Sequence, residues 1–355
     1  LFTDTYSLIS VLTTLAIVIL NYNGQPFLEK FLPTVLANAD GHPVYVADSA
    51  STDNSVQFLR ANFPSIQVIE LPTNEGYAGG YNLALEYIQT HYGGATYYVL
   101  PNSDIEVTPG WLQAPLALLE SNPNIAACQP KIRSYSQRDL FEHAGAAGGF
   151  VDWLGYVFCR GRVFATFEPD KGQYDDNRRV FWATGACLFM RASIFHETGG
   201  FDASFFAHME EIDWCWRVQR IGYEIWACGQ SMVYHVGGGT LPKANPHKTY
   251  LNYRNSLYML YKNWPADGLL WPKILLRLVL DGLSSLLFLK VGQWRDVWAI
   301  LRAHFAFYGR LPQLHRQRQL LAQQQITDVG LFPKSIVWQY FAKGRKTFKG
   351  MMNDE

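Results

Sequence analysis

Three groups of residues in this chain carry side chains suited to chemistry. The first is Asn102-Ser103-Asp104, which follows the apolar run Tyr97-Tyr98-Val99-Leu100 and its terminator Pro101. Proline cannot donate to a sheet ladder, so the run reads as a short buried strand that stops there. In an open α/β sheet, ligands bind beyond the carboxyl ends of the strands. Oxygen-bearing side chains at that point suit a hard divalent cation, which takes one or two ligands from protein and the rest from phosphate and water. The plainer account is a polar turn in which Asp104 caps the next segment. The second group is Glu210-Glu211-Ile212-Asp213, with apolar residues at 212, 215, 216 and 218, a pattern that predicts a helix whose first turn is rich in carboxylates. Clustered acids raise one another's pKa, which suits a general base that takes a proton from a hydroxyl. Favourable placement against the helix dipole is the alternative, and for Asp213 both readings stand. The third is His235, after the strand-like run 232–234. Taken alone, a histidine in such a place is more often structural than a ligand.

The elements that must position these groups follow from hydrophobic pattern. Residues 14–20 form a continuous β-branched and aliphatic run, as in a central parallel strand buried on both faces. Asn21-Tyr22-Asn23-Gly24 turns the chain into a helix over 26–37. Residues 44–47 make a second strand ending at Asp48, and a capping-rich turn leads into a helix over 56–62. A third strand falls at 66–71. Asn74-Glu75-Gly76-Tyr77-Ala78-Gly79-Gly80 reads as a glycine-rich loop opening a helix over 81–90. Alternating strand and helix with short connections means a parallel α/β sheet. The glycine-rich loop is not G-x-G-x-x-G and lacks the lysine of a P-loop, which disfavours a dinucleotide enzyme or an NTPase. From 130 to 179 the pattern is irregular and glycine-rich, an excursion beside the site.

At 355 residues the chain holds one large domain or two. Its net charge of zero conceals an asymmetry. Residues 1–242 carry 13 Lys and Arg against 24 Asp and Glu, whereas residues 243–350 carry 17 against 4. An acidic catalytic half and a basic half facing something anionic are implied. The five cysteines, Cys128, Cys159, Cys187, Cys215 and Cys228, form no C-x-x-C pair, so reduced buried thiols are expected, with no zinc site and no disulfide framework. The apolar stretch 8–20 has no basic residue before it and no small-residue cleavage site after it, and reads as a buried strand and not a signal peptide. The longest later apolar stretch, 274–289, contains Arg277 and Asp281, so no bilayer span is expected.

Four motifs in order resemble glycosyltransferase family 2, and its bacterial rhamnosyltransferase-like members in particular. They are Val18-Ile19-Leu20-Asn21-Tyr22-Asn23-Gly24, Asp48-Ser49-Ala50-Ser51-Thr52-Asp53, the 74–82 stretch, and Asn102-Ser103-Asp104. The resemblance implies a GT-A fold, an inverting mechanism, a nucleoside-diphosphate-sugar donor and Mn2+ or Mg2+. It implies that Tyr22 packs on the donor base and Asp48 accepts from the base N3–H, a pairing suited to uracil or thymine. Gly76 and Gly79 would let backbone approach the donor. Asn82 would either bond the donor or stabilise its own loop, and Asn102 and Ser103 would line the nucleotide. Asp104 would be the principal metal ligand, with His235 completing the site and Asn102 assisting. Many family members have Asp at the position of Asn102, so weaker metal affinity is expected here. In the family's Glu-Asp motif the second acid is the base, which corresponds to Glu211; Glu for Asp lengthens the arm, and Glu210 stays an alternative. Arg217 is read as the ion-pair partner of Glu210. Thr184 and Gly185 are candidates for sugar contact, Asp213 is placed with them, and Trp182 is either a stacking platform or core.

Residues 1–241 are thus read as the catalytic domain and 242–355 as a basic, aromatic-rich helical region, with helices over 248–260, 272–289 and 294–308. Amphipathic basic helices with aromatics suit a membrane surface; a helical hairpin with a solvated basic face is the other reading. Nucleic acid is the weaker partner, since no binding motif appears. The function expected is transfer of a rhamnose-like sugar from a dTDP- or UDP-sugar to a cell-surface glycan or polyprenyl-diphosphate-linked acceptor, by a cytoplasmic enzyme on the inner face of the plasma membrane. A nucleotidyltransferase would instead release pyrophosphate. A catalytically silent glycan-binding protein is the third class, and the departures at Asn102 and Glu211 are what suggest it.

Overall fold

The β-branched run near the start forms β1 (Leu15–Asn21), buried on both faces as its composition demands. The computed structural model describes residues 15–237, 245–265, 268–321 and 329–352; the apolar residues before 15 and the 241–242 boundary lie outside them. After β1 come α1 (Gln25–Ala37), β2 (Val44–Asp48), α2 (Ser55–Asn62), β3 (Gln67–Glu70), α3 (Gly76–His91), β4 (Tyr97–Pro101), β5 (Ile105–Val107), α4 (Gln113–Ser121) and β6 (Ile125–Ser134). The excursion contributes β7 (Gly149–Asp152), β8 (Val157–Cys159), β9 (Arg162–Val163), β10 (Thr166–Phe167) and β11 (Asn177–Val180). Then follow β12 (Cys187–Arg191), α5 (Ala192–Glu197), α6 (Glu210–Arg220), β13 (Glu224–His235), α7 (Pro246–Asn263), α8 (Leu270–Lys290), α9 (Trp294–Leu321), β14 (Leu331–Phe332) and α10 (Phe348–Met352).

The main sheet has the order β11-β13-β6-β12-β4-β1-β2-β3, with β5 paired on β13. Strands β3, β2, β1 and β4 are parallel, as the strand–helix alternation requires. Beyond them β12 runs antiparallel to both β4 and β6, so the sheet is mixed on the side that carries His235. Strands β7 to β10 of the excursion form a second sheet, β10-β9-β8-β7-β14, whose last strand comes from the far end of the chain, while β11 joins the main sheet. Phe332 and Phe348 join Phe158 and Phe150 there, at ring-centroid distances of 5.6 and 4.9 Å. Residues beyond 245 therefore share the core of the residues before it. All five cysteines are free and buried.

Two local readings are corrected. Helix α3 starts at Gly76, so the glycine-rich loop is largely its first two turns. Gly76 takes φ +69°, and a Cβ there would lie 2.3 Å from the Phe206 carbonyl oxygen. Glycine is needed at that point for close packing of protein on protein. Helix α9 also runs on to Leu321, well past 308.

Candidate active site

Register decides where the chemical groups meet. Strand β13 pairs antiparallel with β5 so that His235 stands across from Ile105, the residue after Asp104. His235 Nε2 then lies 3.1 Å from Asp104 Oδ1, and its Nδ1 lies 3.0 Å from Glu142 Oε2. All three side chains are buried. Burial opposes charge on the imidazole, but Asp104 and Glu142 together outweigh it and raise the His235 pKa to about 10. Burial likewise opposes the carboxylates, yet the facing imidazole holds Glu142 down at about 2 and lowers Asp104. The Asn102 side-chain nitrogen is 3.5 Å from the same Nε2, and its backbone N–H donates to Ala186 at 2.9 Å.

Among the described residues no group of three or more His, Cys, Asp or Glu forms a complete metal cage. What is present is a carboxylate, an imidazole and an amide converging at the carboxyl end of the sheet. That donor set fits a hard cation that draws its remaining ligands from diphosphate and water. A carboxylate on the second ring nitrogen is the usual support of a metal-binding histidine, fixing its tautomer and orientation. Glu142 supplies it. Sequence reasoning missed Glu142 because it lies in the irregular excursion, where no period or motif marks it.

The second acid group sits at the start of α6. The loop before it is strained: Phe206, His208 and Met209 have φ of 65, 72 and 73°. Such conformations cost about 1–3 kcal/mol each and persist only where the surroundings enforce them. Here the buried Asn255 does so, its Nδ2 donating to the carbonyls of Phe205, Ala207 and His208 at 2.9, 2.9 and 2.7 Å. Arg254 adds bonds to the carbonyls of Ser204 and Phe205. Glu210 is buried and Glu211 half-buried, each with one carboxyl oxygen lacking a partner. Burial first, then the Glu211 charge, pushes Glu210 well above the usual carboxylate range. Burial also raises Glu211, but backbone amides, among them those of Gly185 and Met209, pull against it. Both carboxyls are thus raised, Glu210 the more strongly. Tyr77 closes this end by donating its hydroxyl to the Gly185 carbonyl at 2.6 Å.

Asp48 ends β2 directly across from Asn21. It is buried and accepts from Asn21 Nδ2 at 2.8 Å, from the Ser51 amide at 2.8 Å and from Ser51 Oγ at 2.7 Å. A cavity of about 170 Å³ opens beside it, with Ser51, Arg60 and Glu70 in its wall. Tyr22, the residue after Asn21, is exposed. Ser103 and Gly24 approach each other between the Asp48 end and Asp104.

Several candidates are engaged elsewhere. Asn82 donates to the Phe201 carbonyl (2.8 Å) and accepts from its amide (3.0 Å), so it ties α3 to a neighbouring loop. Gly79 faces Glu75 and Ala203 within the protein. Trp182 is core, its Nε1 bonded to the Phe150 carbonyl at 3.0 Å. Thr184 is buried, its Oγ1 accepting from the Ala186 amide at 3.1 Å, so it shapes the turn without facing a sugar; Gly185 takes the Tyr77 bond. Asp213 is fully buried between Arg217, Lys262 and Asn263 at 2.9, 2.8 and 2.7 Å, which leaves it no part in sugar or acceptor contact. Arg217 therefore pairs with Asp213, not with Glu210.

A parallel half-sheet with a cavity beside Asp48, an Asp–His pair where β5 meets β13, and a carboxylate pair at the start of α6 fit the mixed α/β fold of a GT-A glycosyltransferase. The family model described as "Glycosyl transferase family 2" matches residues 16–199, just over half the chain, and the chain belongs to that family. It is 26% identical over 239 residues to an N-acetylglucosaminyl-diphospho-decaprenol L-rhamnosyltransferase of Mycobacterium tuberculosis, covering 64% of this chain and 77% of the relative. It is 23% identical to a low-salt glycan biosynthesis hexosyltransferase of Haloferax volcanii, covering 69% and 75%. Among solved structures it resembles GalNAc-T7 with UDP, GalNAc and Mn2+, at TM-score 0.56, 15% identity, 71% of this chain and 48% of that one. At such identity the likeness bears on fold alone.

Proposed function

We propose that the protein is an inverting, divalent-cation-dependent glycosyltransferase that moves a rhamnose-like sugar from a dTDP- or UDP-sugar to a hydroxyl of a lipid-linked glycan. The observation that carries this reading is the placement of two kinds of group on one edge: Asp104 and His235 on one side, Glu211 on the other, with Asn102 and Gly185 between them. Glu211 takes the proton of the acceptor hydroxyl as that oxygen bonds to the anomeric carbon. The bond from that carbon to the diphosphate oxygen breaks in the same displacement, and the nucleoside diphosphate leaves. Asp104 and His235, with Asn102, would hold Mn2+ or Mg2+, which offsets the charge on the departing diphosphate. Tyr22, Asp48 and Ser103 would hold the nucleotide. The rhamnosyl preference and the lipid-diphosphate acceptor rest on the name of the mycobacterial relative.

A membrane-surface location is part of the proposal. Helix α8 is built inside out: Lys273, Arg277 and Asp281 face the protein, while Trp271, Leu275, Val279, Leu283 and Leu287 are exposed. Leu275 and Leu287 keep 65% and 63% of their surface. No helix among the described residues is long and apolar enough to cross a membrane. An exposed apolar face flanked by Lys290, Arg295 and Arg302 suits a helix lying in the plane of an anionic leaflet, here taken as the cytoplasmic one.

The test is thermal stabilisation by a nucleoside-diphosphate panel with and without Mn2+, since a ligand of the folded form raises Tm. A Mn2+-dependent rise with dTDP or UDP, and none with ADP or GDP, is expected. No rise with any nucleotide would contradict the donor site.

A further inference from the structure

We infer that a pocket between the start of α7 and the start of α9 binds the diphosphate of a prenyl-diphosphate acceptor, with the prenyl chain running onto the exposed face of α8 and α9. The pocket, about 240 Å³, is walled by His247 and Tyr250 from α7 and by Trp294, Arg295, Trp298 and Arg302 from α9. Arg295 and Arg302 are seven positions apart, so they lie on one helix face. Both are exposed, and among the described residues neither has a carboxylate partner. Each instead lies over an aromatic ring of the same wall: Arg295 by Trp294 (5.5 Å) and Arg302 by Tyr250 (5.2 Å). The acid between them, Asp296, is buried and accepts from Thr249 Oγ1 at 2.5 Å.

Two guanidiniums on one pocket wall, with no carboxylate partner among the described residues, suit an anion, and arginine's planar fork matches phosphate oxygens. The rest of the wall is wrong for a water-soluble anion alone. Trp294 and Trp298 are 63% and 56% exposed, and Leu301 and Phe305 continue that surface along α9. An anion attached to a long hydrocarbon satisfies both halves. The pocket also touches the loop that carries the proposed base. The His247 ring packs edge-on against Phe206 at 6.3 Å, and the Phe206 carbonyl accepts from Ala78 at 3.1 Å. One turn further along α7, Arg254 and Asn255 grip the carbonyls that lead to Glu210 and Glu211. A diphosphate here would sit beside the loop that leads to the carboxylate pair.

This inference rests on the functional reading for its acceptor, but its test does not need transfer. Calorimetric binding of farnesyl diphosphate to the full chain, without metal or donor, is compared with farnesol and with inorganic pyrophosphate. Farnesyl diphosphate is expected to bind, and both fragments to bind at least about tenfold more weakly, since each lacks half of the contacts. In the R295Q/R302Q variant its affinity is expected to fall by about tenfold or more, with Tm unchanged because both side chains are exposed. The dTDP or UDP thermal shift of that variant should match the parent's. Undiminished farnesyl diphosphate binding by the variant would overturn the inference. So would pyrophosphate binding as tightly as the prenyl compound, which would mark a plain anion site. Prenyl binding in a protein with no nucleotide shift would instead sink the functional reading and leave the pocket standing.

Discussion

Glu210 and Glu211 are neighbours in sequence, yet their surroundings raise the two carboxyls unequally. Glu210 is the deeper, with nothing but its own backbone amide to favour the charge, while Glu211 has several amides and partial exposure. Environments that push two carboxyls apart assign one as neutral neighbour and the other as base. A carboxyl whose folded pKa is raised releases its proton after the unfolded chain does. Stability therefore falls as pH climbs from the ordinary value of 4.5 toward the raised one. The Glu210→Gln variant removes that cost, so its Tm should exceed the parent's at neutral pH and converge with it below about pH 4. It should also keep most of the turnover. A variant that loses turnover while gaining stability would make Glu210 the base. The acids at the start of α6, and Asp104 and His235 at the ends of their strands, were legible because each lies in a local pattern. Glu142 was not, because only the fold of the excursion brings it within 3.0 Å of His235.

At the scale of elements, α6 is fixed by its inward face. Asp213 binds Arg217 one turn on and reaches Lys262 and Asn263 of α7, so one buried carboxylate joins the helix of the proposed base to the helix whose start walls the proposed acceptor pocket. Removing it leaves the buried Lys262 with Asp202 as its one carboxylate partner among the described residues. The Asp213→Ala protein should lose about 3–5 kcal/mol in denaturant unfolding; a loss within experimental error would show that the network adds nothing. The first four strands and their helices were readable from β-branched runs and helical spacing. The start of α3 was not, since three glycines in seven residues argue for a loop until packing against Phe206 and Leu20 is seen. The return of β14 to β7 was equally hidden, because a two-residue strand has no period.

Over the whole molecule, the charge asymmetry acquires a location. The acidic half holds the proposed donor edge, and the basic half presents α8 and α9 with apolar residues outward. The sequence showed the amphipathicity of these helices but not its sense, which depends on Lys273 and Arg277 finding the carbonyls of Trp153 and Leu154. Vesicle sedimentation measures the consequence. The parent should co-sediment with vesicles containing anionic lipid, and Leu275→Glu/Leu283→Glu/Leu287→Glu should bind at least about tenfold more weakly with Tm unchanged. A parent protein that stays in the supernatant would leave the exposed face without this explanation.

In the proposed reaction Glu211 activates an acceptor hydroxyl opposite a departing nucleoside diphosphate. Product release from dTDP- and UDP-sugars with Mn2+ and a prenyl-diphosphate-linked acceptor, measured for the parent and Glu211→Gln, tests this. Nucleoside diphosphate is expected as the product, with a fall of about 10²–10⁴ in turnover for the variant and its nucleotide thermal shift retained. Release of pyrophosphate, or full turnover by Glu211→Gln, would contradict it.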